Sequence, residues 1–149
     1  MAKTDTRMRP EPDREPRSQY AALPWRQAAA GVEVLLITSR ETRRWVIPKG
    51  WPIKGSKAPD SAAIEAFEEA GVTGAVGRRA LGAYHYDKRL QSGRNQHVRV
   101  TVYPLEVRRE AEEWPERGQR ERLWTRPAEA AALVDEPELR AIIAAFAPA

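Results

Sequence analysis

Three glutamates crowd one short run of this chain, Glu65-Ala-Phe-Glu68-Glu69-Ala-Gly71, and whatever forms there must accommodate their mutual repulsion. The flanking residues specify a helix. Pro59 suits a first helical position, where a missing N–H costs nothing. Asp60 puts negative charge in the first turn, and Gly71 is a stop signal. A helix over Pro59–Ala70 is therefore expected. At about 100° per residue, Glu65, Glu68 and Glu69 fall within roughly 100° of arc. Ala63, Ala66, Phe67 and Ala70 form the expected core face. Carboxylates packed this closely need positive charge beside them, and hard divalent cations bind such oxygens.

The segments around the helix read mainly as strands. Val32–Ser39 is apolar enough to be buried on both faces. Gln19–Ala30 is expected to be extended, with Pro24 interrupting it. Trp45–Ile47 is a short strand stopped by Pro48, and Gly50–Ala58 is a loop. Val72–Tyr86 and His97–Val107 alternate as strands joined by a polar hairpin at Asp87–Gln96. An acidic loop at Glu110–Gln119 and a short strand at Leu123–Thr125 follow. Pro127–Val134 and Glu136–Phe146 are Ala-rich helices. This order implies an α/β fold, a mixed β-sheet flanked by helices on both faces. Residues 1–18 hold Pro10, Pro12 and Pro16 but no branched aliphatic or aromatic side chain. They are expected to be a flexible tail, with 19–149 as a single domain.

Composition excludes several chemistries. With no cysteine, there are no disulfides, thiolate metal sites or cysteine nucleophiles. That fits a reducing compartment, and a cytoplasmic location is expected. Two histidines argue against a multi-histidine zinc site. Any bound metal must therefore use oxygen ligands. No apolar run approaches the roughly 18 residues of a membrane helix, and the N-terminus lacks the apolar stretch of a secretory signal. No membrane partner is expected. The net charge is +4, but residues 19–109 carry fifteen basic against eight acidic groups, while 110–149 carry five against nine. Positive charge is thus concentrated in the middle of the chain.

Taken with its context, the acidic helix resembles the box of the Nudix hydrolases, G-x5-E-x7-R-E-U-x-E-E-x-G-U, where U is a bulky aliphatic residue. Gly50, Glu65, Glu68, Glu69, Gly71 and Val72 stand at the required spacings. The resemblance extends over most of residues 19–147, including Trp45-Val-Ile-Pro-Lys-Gly50 and the Arg122-Leu-Trp124 strand. Three positions depart from the box: Ser56 replaces the first Glu, Ile64 the Arg, and Ala66 the aliphatic residue. The resemblance implies a Nudix-type α/β/α sandwich and hydrolysis of a diphosphate linkage. It implies that Glu65 and Glu69 hold Mg²⁺, or Mn²⁺, with help from the Gly50 carbonyl. Glu68 would hold a further metal or act as base, and Glu65 and Glu68 are the catalytic candidates. Base and ligand are not distinguished within the three. Among Glu106, Glu110, Glu112, Glu113 and Glu116, no single residue stands out as a further metal ligand.

Basic residues at loop ends point to a polyphosphorylated small-molecule substrate. The candidates for binding it are Arg26, Arg40, Lys49, Lys54, Arg94, His97, Arg120 and Arg122, with Arg43, Arg44, Lys88, Arg89 and Arg99 nearby in sequence. The segment around Lys49-Gly50-Trp51, the run Glu112-Glu113-Trp114-Pro115 and the strand Arg120-Glu-Arg122-Leu-Trp124 resemble the diphosphoinositol polyphosphate phosphohydrolase branch, whose members also cleave diadenosine polyphosphates. A nucleoside triphosphate is a further substrate to consider. Two other readings stay open: a ligand-binding or regulatory module on the same fold, in which Ser56 and Ile64 mark weakened catalysis, and a basic nucleic-acid-binding protein. Against the last, there is no recognised nucleic-acid motif and no regular basic-aromatic interleaving.

Overall fold

The apolar run expected to be buried on both faces does divide its side chains between two cores. In the computed structural model, which describes residues 16–148, it forms β2 (Gly31–Thr38). Val34 and Leu36 join one hydrophobic cluster; Leu35 and Ile37 join the other. The preceding strand β1 (Arg17–Ala28) divides likewise, with Ala21 and Leu23 on one face and Ala22 on the opposite one. Strand geometry sends successive side chains to opposite faces, so a sheet with an apolar strand at its centre needs a cover on each side.

The remaining elements supply that cover. In chain order they are β3 (Trp45–Val46), β4 (Lys49–Gly50), α1 (Ala58–Ala70), β5 (Val72–Val76), β6 (Gly82–Arg89), β7 (Asn95–Glu110), β8 (Arg122–Thr125), α2 (Pro127–Leu133) and α3 (Pro137–Ala144). Helix α1 contributes Ala62, Ala66 and Ala70 to the cluster holding Leu35 and Ile37. Helices α2 and α3 contribute Ala130, Leu139 and Ile143 to the other. The sheet is mixed: β1 and β7 run parallel from Arg17/Val98 to Trp25/Glu106, and the other pairs are antiparallel. The expected α/β/α layering is thus the observed one.

One irregularity of this sheet matters for function. Along one edge, β1 changes partner: Tyr20 and Ala21 pair with Gly50 and Lys49 of β4, whereas Trp25–Ala28 pair with β2. Pro24 lies between the two stretches and has no N–H to donate to a ladder. The sheet forks there, and β4 is held at the fork.

Several boundaries differ from expectation. Residues 1–15 lie outside the described residues, but Arg17 and Ser18, assigned to the tail, belong to β1 and pair with Val98 and Arg99. The single strand expected over Val72–Tyr86 is two, β5 and β6, both along one edge of β7. The break faces Pro104, whose missing N–H interrupts the ladder, and Gly77 N–H donates to the Pro104 carbonyl at 2.8 Å. The core face of α1 is also rotated from the expected one. Ser61, Ala62, Ala66, Glu69 and Ala70 are buried, while Ala63 and Phe67 are half-buried. Ile64 is 37% exposed. An all-alanine stripe gives little contrast with which to aim a helix, and tertiary packing has set the angle.

The two-core arrangement predicts contrasting truncations. Leu36→Ala should lower unfolding free energy by about 2–5 kcal/mol in a denaturant melt. Ile64→Ala should stay within about 0.5 kcal/mol of the parent. Equal losses would contradict the burial described.

Candidate active site

Gly50 is pinned by its pairing with Tyr20, and helix α1 passes directly beside it. A Cβ at Gly50 would overlap the Glu65 carboxyl. The glycine is therefore required for close approach, which places its backbone against a carboxylate. Lys49 N–H points at Glu69 Oε1 from 3.4 Å. Strand β4 and helix α1 thus bring Gly50, Glu65 and Glu69 to one wall of a cleft of about 470 Å³.

Glu69 sits on the buried side of α1. Arg120 Nη2 lies 3.8 Å from its Oε2. Burial is the main reason its carboxyl is pushed up to about 8; Glu65 and Glu116 add to this, while Arg120 and Lys49 oppose it. Glu65 is raised too, mainly by burial, and is hydrogen-bonded to Glu69. The Lys49 ammonium is lowered by burial, with Glu69 and Glu136 opposing the shift. Burial and mutual proximity disfavour ionising both carboxyls of the pair together. Their hard oxygens suit a divalent cation, which would replace any proton held there. Among the described residues, no three carboxylate or imidazole groups converge into a ready-made metal cage.

Glu68 is placed differently. It borders a separate, mostly apolar hollow with Ile64, Phe67 and Pro115. The structure therefore brings two of the three helix glutamates into the cleft and leaves Glu68 around the helix. A third cleft carboxylate comes from Glu116, one of five downstream glutamates that sequence could not separate. Arg120 Nε donates to Glu116 Oε1 at 2.8 Å, so one guanidinium serves both Glu116 and Glu69. Ser56 and Ile64, where the box has Glu and Arg, lie outside the cleft.

Three of the eight basic candidates, Arg40, Lys49 and Arg120, line the cleft. Lys88, not among the eight, lines it too, and a contiguous recess of about 280 Å³ adds Arg89, Glu41 and Thr42. The other five lie elsewhere. Arg26 is bonded to Glu33 at 2.8 Å and lies 4.1 Å above the Trp124 ring. Arg122 donates to the Ala70 carbonyl at 2.9 Å, neutralising the C-terminal end of α1. His97 Nδ1 is 3.0 Å from Asp87 Oδ1, and its ring stacks on His85. Lys54 is exposed on the loop after β4, and Arg94 is exposed at the β6–β7 turn. Gln19 and Tyr86, which sequence did not single out, also border the cleft, and Tyr86 Oη donates to Gln19 Oε1 at 2.7 Å. Their signal was weak because each is an ordinary strand residue whose place beside the cleft is set by strand pairing far away in sequence.

Comparison with known proteins identifies the class. No family model matches the chain. It is 34% identical over 136 residues to Arabidopsis thaliana Nudix hydrolase 21, chloroplastic, covering 87% of this chain and 66% of that protein. It is 35% identical over 99 residues to Nudix hydrolase 18, mitochondrial, of the same plant, covering 66% and 53%. A Mus musculus diphosphoinositol polyphosphate phosphohydrolase 3-alpha is 37% identical over 84 residues, covering 55% and 46%. Among solved structures, a NUDIX hydrolase from Nitrosomonas europaea superposes with a TM-score of 0.66 at 16% identity, covering 87% of each chain. The C. elegans Ap4A hydrolase gives 0.62 at 17%, covering 87% of this chain and 95% of that one. The chain belongs to the Nudix hydrolase family. It spans about half the length of most curated relatives it matches. Nudix hydrolases generally use divalent metal ions. No helix among the described residues is long and apolar enough to cross a membrane.

Burial of Glu69 has a measurable consequence. Its folded value, about 8, lies above its ordinary 4.5. The folded chain therefore binds the extra proton, and this group makes stability fall as pH rises through that interval. In metal-free buffer, the melting temperature of the parent should fall more between pH 5 and pH 8 than that of Glu69→Gln. Added Mg²⁺ should raise the parent's melting temperature more at pH 8 than at pH 5. Parallel curves for the two proteins would refute the buried-acid assignment.

Proposed function

We propose that this chain hydrolyses a phosphoric anhydride in a polyphosphorylated small molecule, with a diphosphoinositol polyphosphate or diadenosine polyphosphate favoured and a nucleoside triphosphate as a lesser substrate. The observation that carries the reading is the meeting of three carboxylates and several cations in one continuous cleft. Glu65, Glu69 and Glu116 line the cleft together with Arg40, Lys49, Lys88 and Arg120; these four cations also line the contiguous recess, where Arg89 and Glu41 join them. A substrate with several phosphates suits that lining, its reacting diphosphate near the carboxylates and its remaining phosphates among the cations.

The chemistry follows from the groups present. Glu65, Glu69 and the Gly50 carbonyl would hold Mg²⁺, or Mn²⁺. Such an ion neutralises phosphate charge and acidifies water when bound. A water attacks phosphorus, a P–O bond to the bridging oxygen breaks, and the water's proton passes to a carboxylate. Glu116, which lines the cleft, is the candidate to receive it, whereas Glu68 lies outside the cleft. Arg40 and Arg120 present planar forks that match phosphate oxygens. They offset the charge that shifts onto the leaving phosphate. The recess is lined without an aromatic side chain, so it offers phosphate contacts and no stacking surface for a base. That favours a highly phosphorylated polyol over a second nucleoside at this end.

A second reading is a ligand-binding module with little turnover, favoured by the position of Glu68 outside the cleft. Phosphate release measured with Mg²⁺ across diphosphoinositols, dinucleoside polyphosphates and nucleoside triphosphates separates the two. Under the hydrolase reading, Glu69→Gln should lower kcat by about 100-fold or more. Arg40→Ala and Lys88→Ala should each raise KM about tenfold, the size of one lost charged contact. Tight binding of a substrate with no product released would favour the module.

A further inference from the structure

Glu116 lies in an irregular segment, residues 111–121, yet its carboxylate is aimed into a cleft built by a helix and a strand. Something must fix that segment. Its backbone is bound to the C-terminal end of α1, which lacks a basic residue of its own in the last turn. Ala111 N–H donates to the Gly71 carbonyl at 2.8 Å, and Glu116 N–H donates to the Glu68 carbonyl at 3.0 Å. These are carbonyls that a helix end leaves without partners. Between them, the Trp114 ring lies on Gly71, so closely that a Cβ there would enter the indole. The Arg122 guanidinium is 4.5 Å from the ring centre and also donates to the Ala70 carbonyl. The Trp114 Nε1 is buried without a hydrogen-bond partner. The indole is therefore held by its faces, through contact with Gly71 and the cation above it.

We propose that Trp114 is a positioning residue for the carboxylate end of the cleft: it latches the 111–121 segment onto the end of α1 and so places Glu116 beside Glu65 and Glu69. Gly71 has two roles in this arrangement. Its φ of 72° ends the helix in the left-handed region, and its missing side chain is the seat for the indole. Two residues after the ring, Glu116 takes its hydrogen bond from Arg120, the same guanidinium that approaches Glu69. A shift of the ring would move Glu116 and disturb that shared contact.

This inference rests on the proposed divalent-cation site, and the test keeps the two apart. Hydrogen exchange on the full metal-free chain reads the latch directly. Trp114→Leu should speed exchange of the Glu116 amide at least tenfold, while Trp114→Phe, which keeps a ring on Gly71, should largely restore protection. Titration calorimetry with Mn²⁺ alone reads the consequence. Trp114→Leu should weaken Mn²⁺ binding about tenfold, and should add nothing in a Glu116→Gln background. Unchanged amide exchange, or an equal loss of Mn²⁺ affinity with and without Glu116, would overturn the latch. Failure of the parent chain to bind Mn²⁺ would instead overturn the cation-site reading, and the exchange data would still decide whether Trp114 holds the segment.

Discussion

A carboxylate buried on the core-facing side of a helix is the constraint around which the cleft is organised. Glu69 occupies a position on α1 that alanines fill at the neighbouring turns, and burial alone would make its ionised form expensive. The fold answers with Lys49 from β4 and Arg120 from the segment before β8. Neither is local in sequence. The cleft is consequently a meeting point of the forked sheet, the acidic helix and the downstream segment, and it cannot form unless all three are in place. A buried charge cluster of this kind contributes little to stability. Its presence is better explained by chemistry than by folding.

The fork in the sheet supplies the opening. Were β1 paired along its full length with β2, the edge now occupied by β4 would be closed, and Gly50 could not face α1. Pro24 makes the change of partner inexpensive, because no N–H is left unpaired where the neighbouring strand leaves. Two glycines then set distances that side chains could not tolerate: Gly50 against Glu65, and Gly71 against Trp114. In each case the absent Cβ permits a contact that aims an acid.

Much of this was legible in the sequence, and the parts that were not share a cause. The helix limits came from Pro59 and Gly71, and both have local mechanisms. The two-faced burial of β2 followed from its unbroken apolar run. The carboxylate pair with Gly50 was carried by spacing within a family box. What sequence misjudged were quantities set by distant partners. The angle of α1 about its axis was misread because alanine gives little contrast between faces. Arg26 and Arg122 were placed at the substrate because Arg suits phosphate, but their guanidiniums are taken up by Glu33, Trp124 and the end of α1. Lys88 and Glu116 are unremarkable in sequence and gain meaning only when hairpin and loop converge on one cleft.

The placement of charge bears on which part of a substrate the cleft reads. Like charges repel at short range, so a cleft lined by carboxylates alone would repel any polyphosphate. Under the proposed function, the cations that share the cleft offset that repulsion. The cations of the recess can draw in and orient a phosphate-rich ligand before its reacting end meets Glu65 and Glu69, where a divalent cation reverses the local sign. Arg40, Lys49, Lys88 and Arg120 line both the cleft and the recess, and of these Lys49 and Arg120 also offset the charge of Glu69. Under the proposed function, discrimination between substrates would depend on how many phosphates lie beyond the reacting linkage, and on the spacing at which the recess receives them.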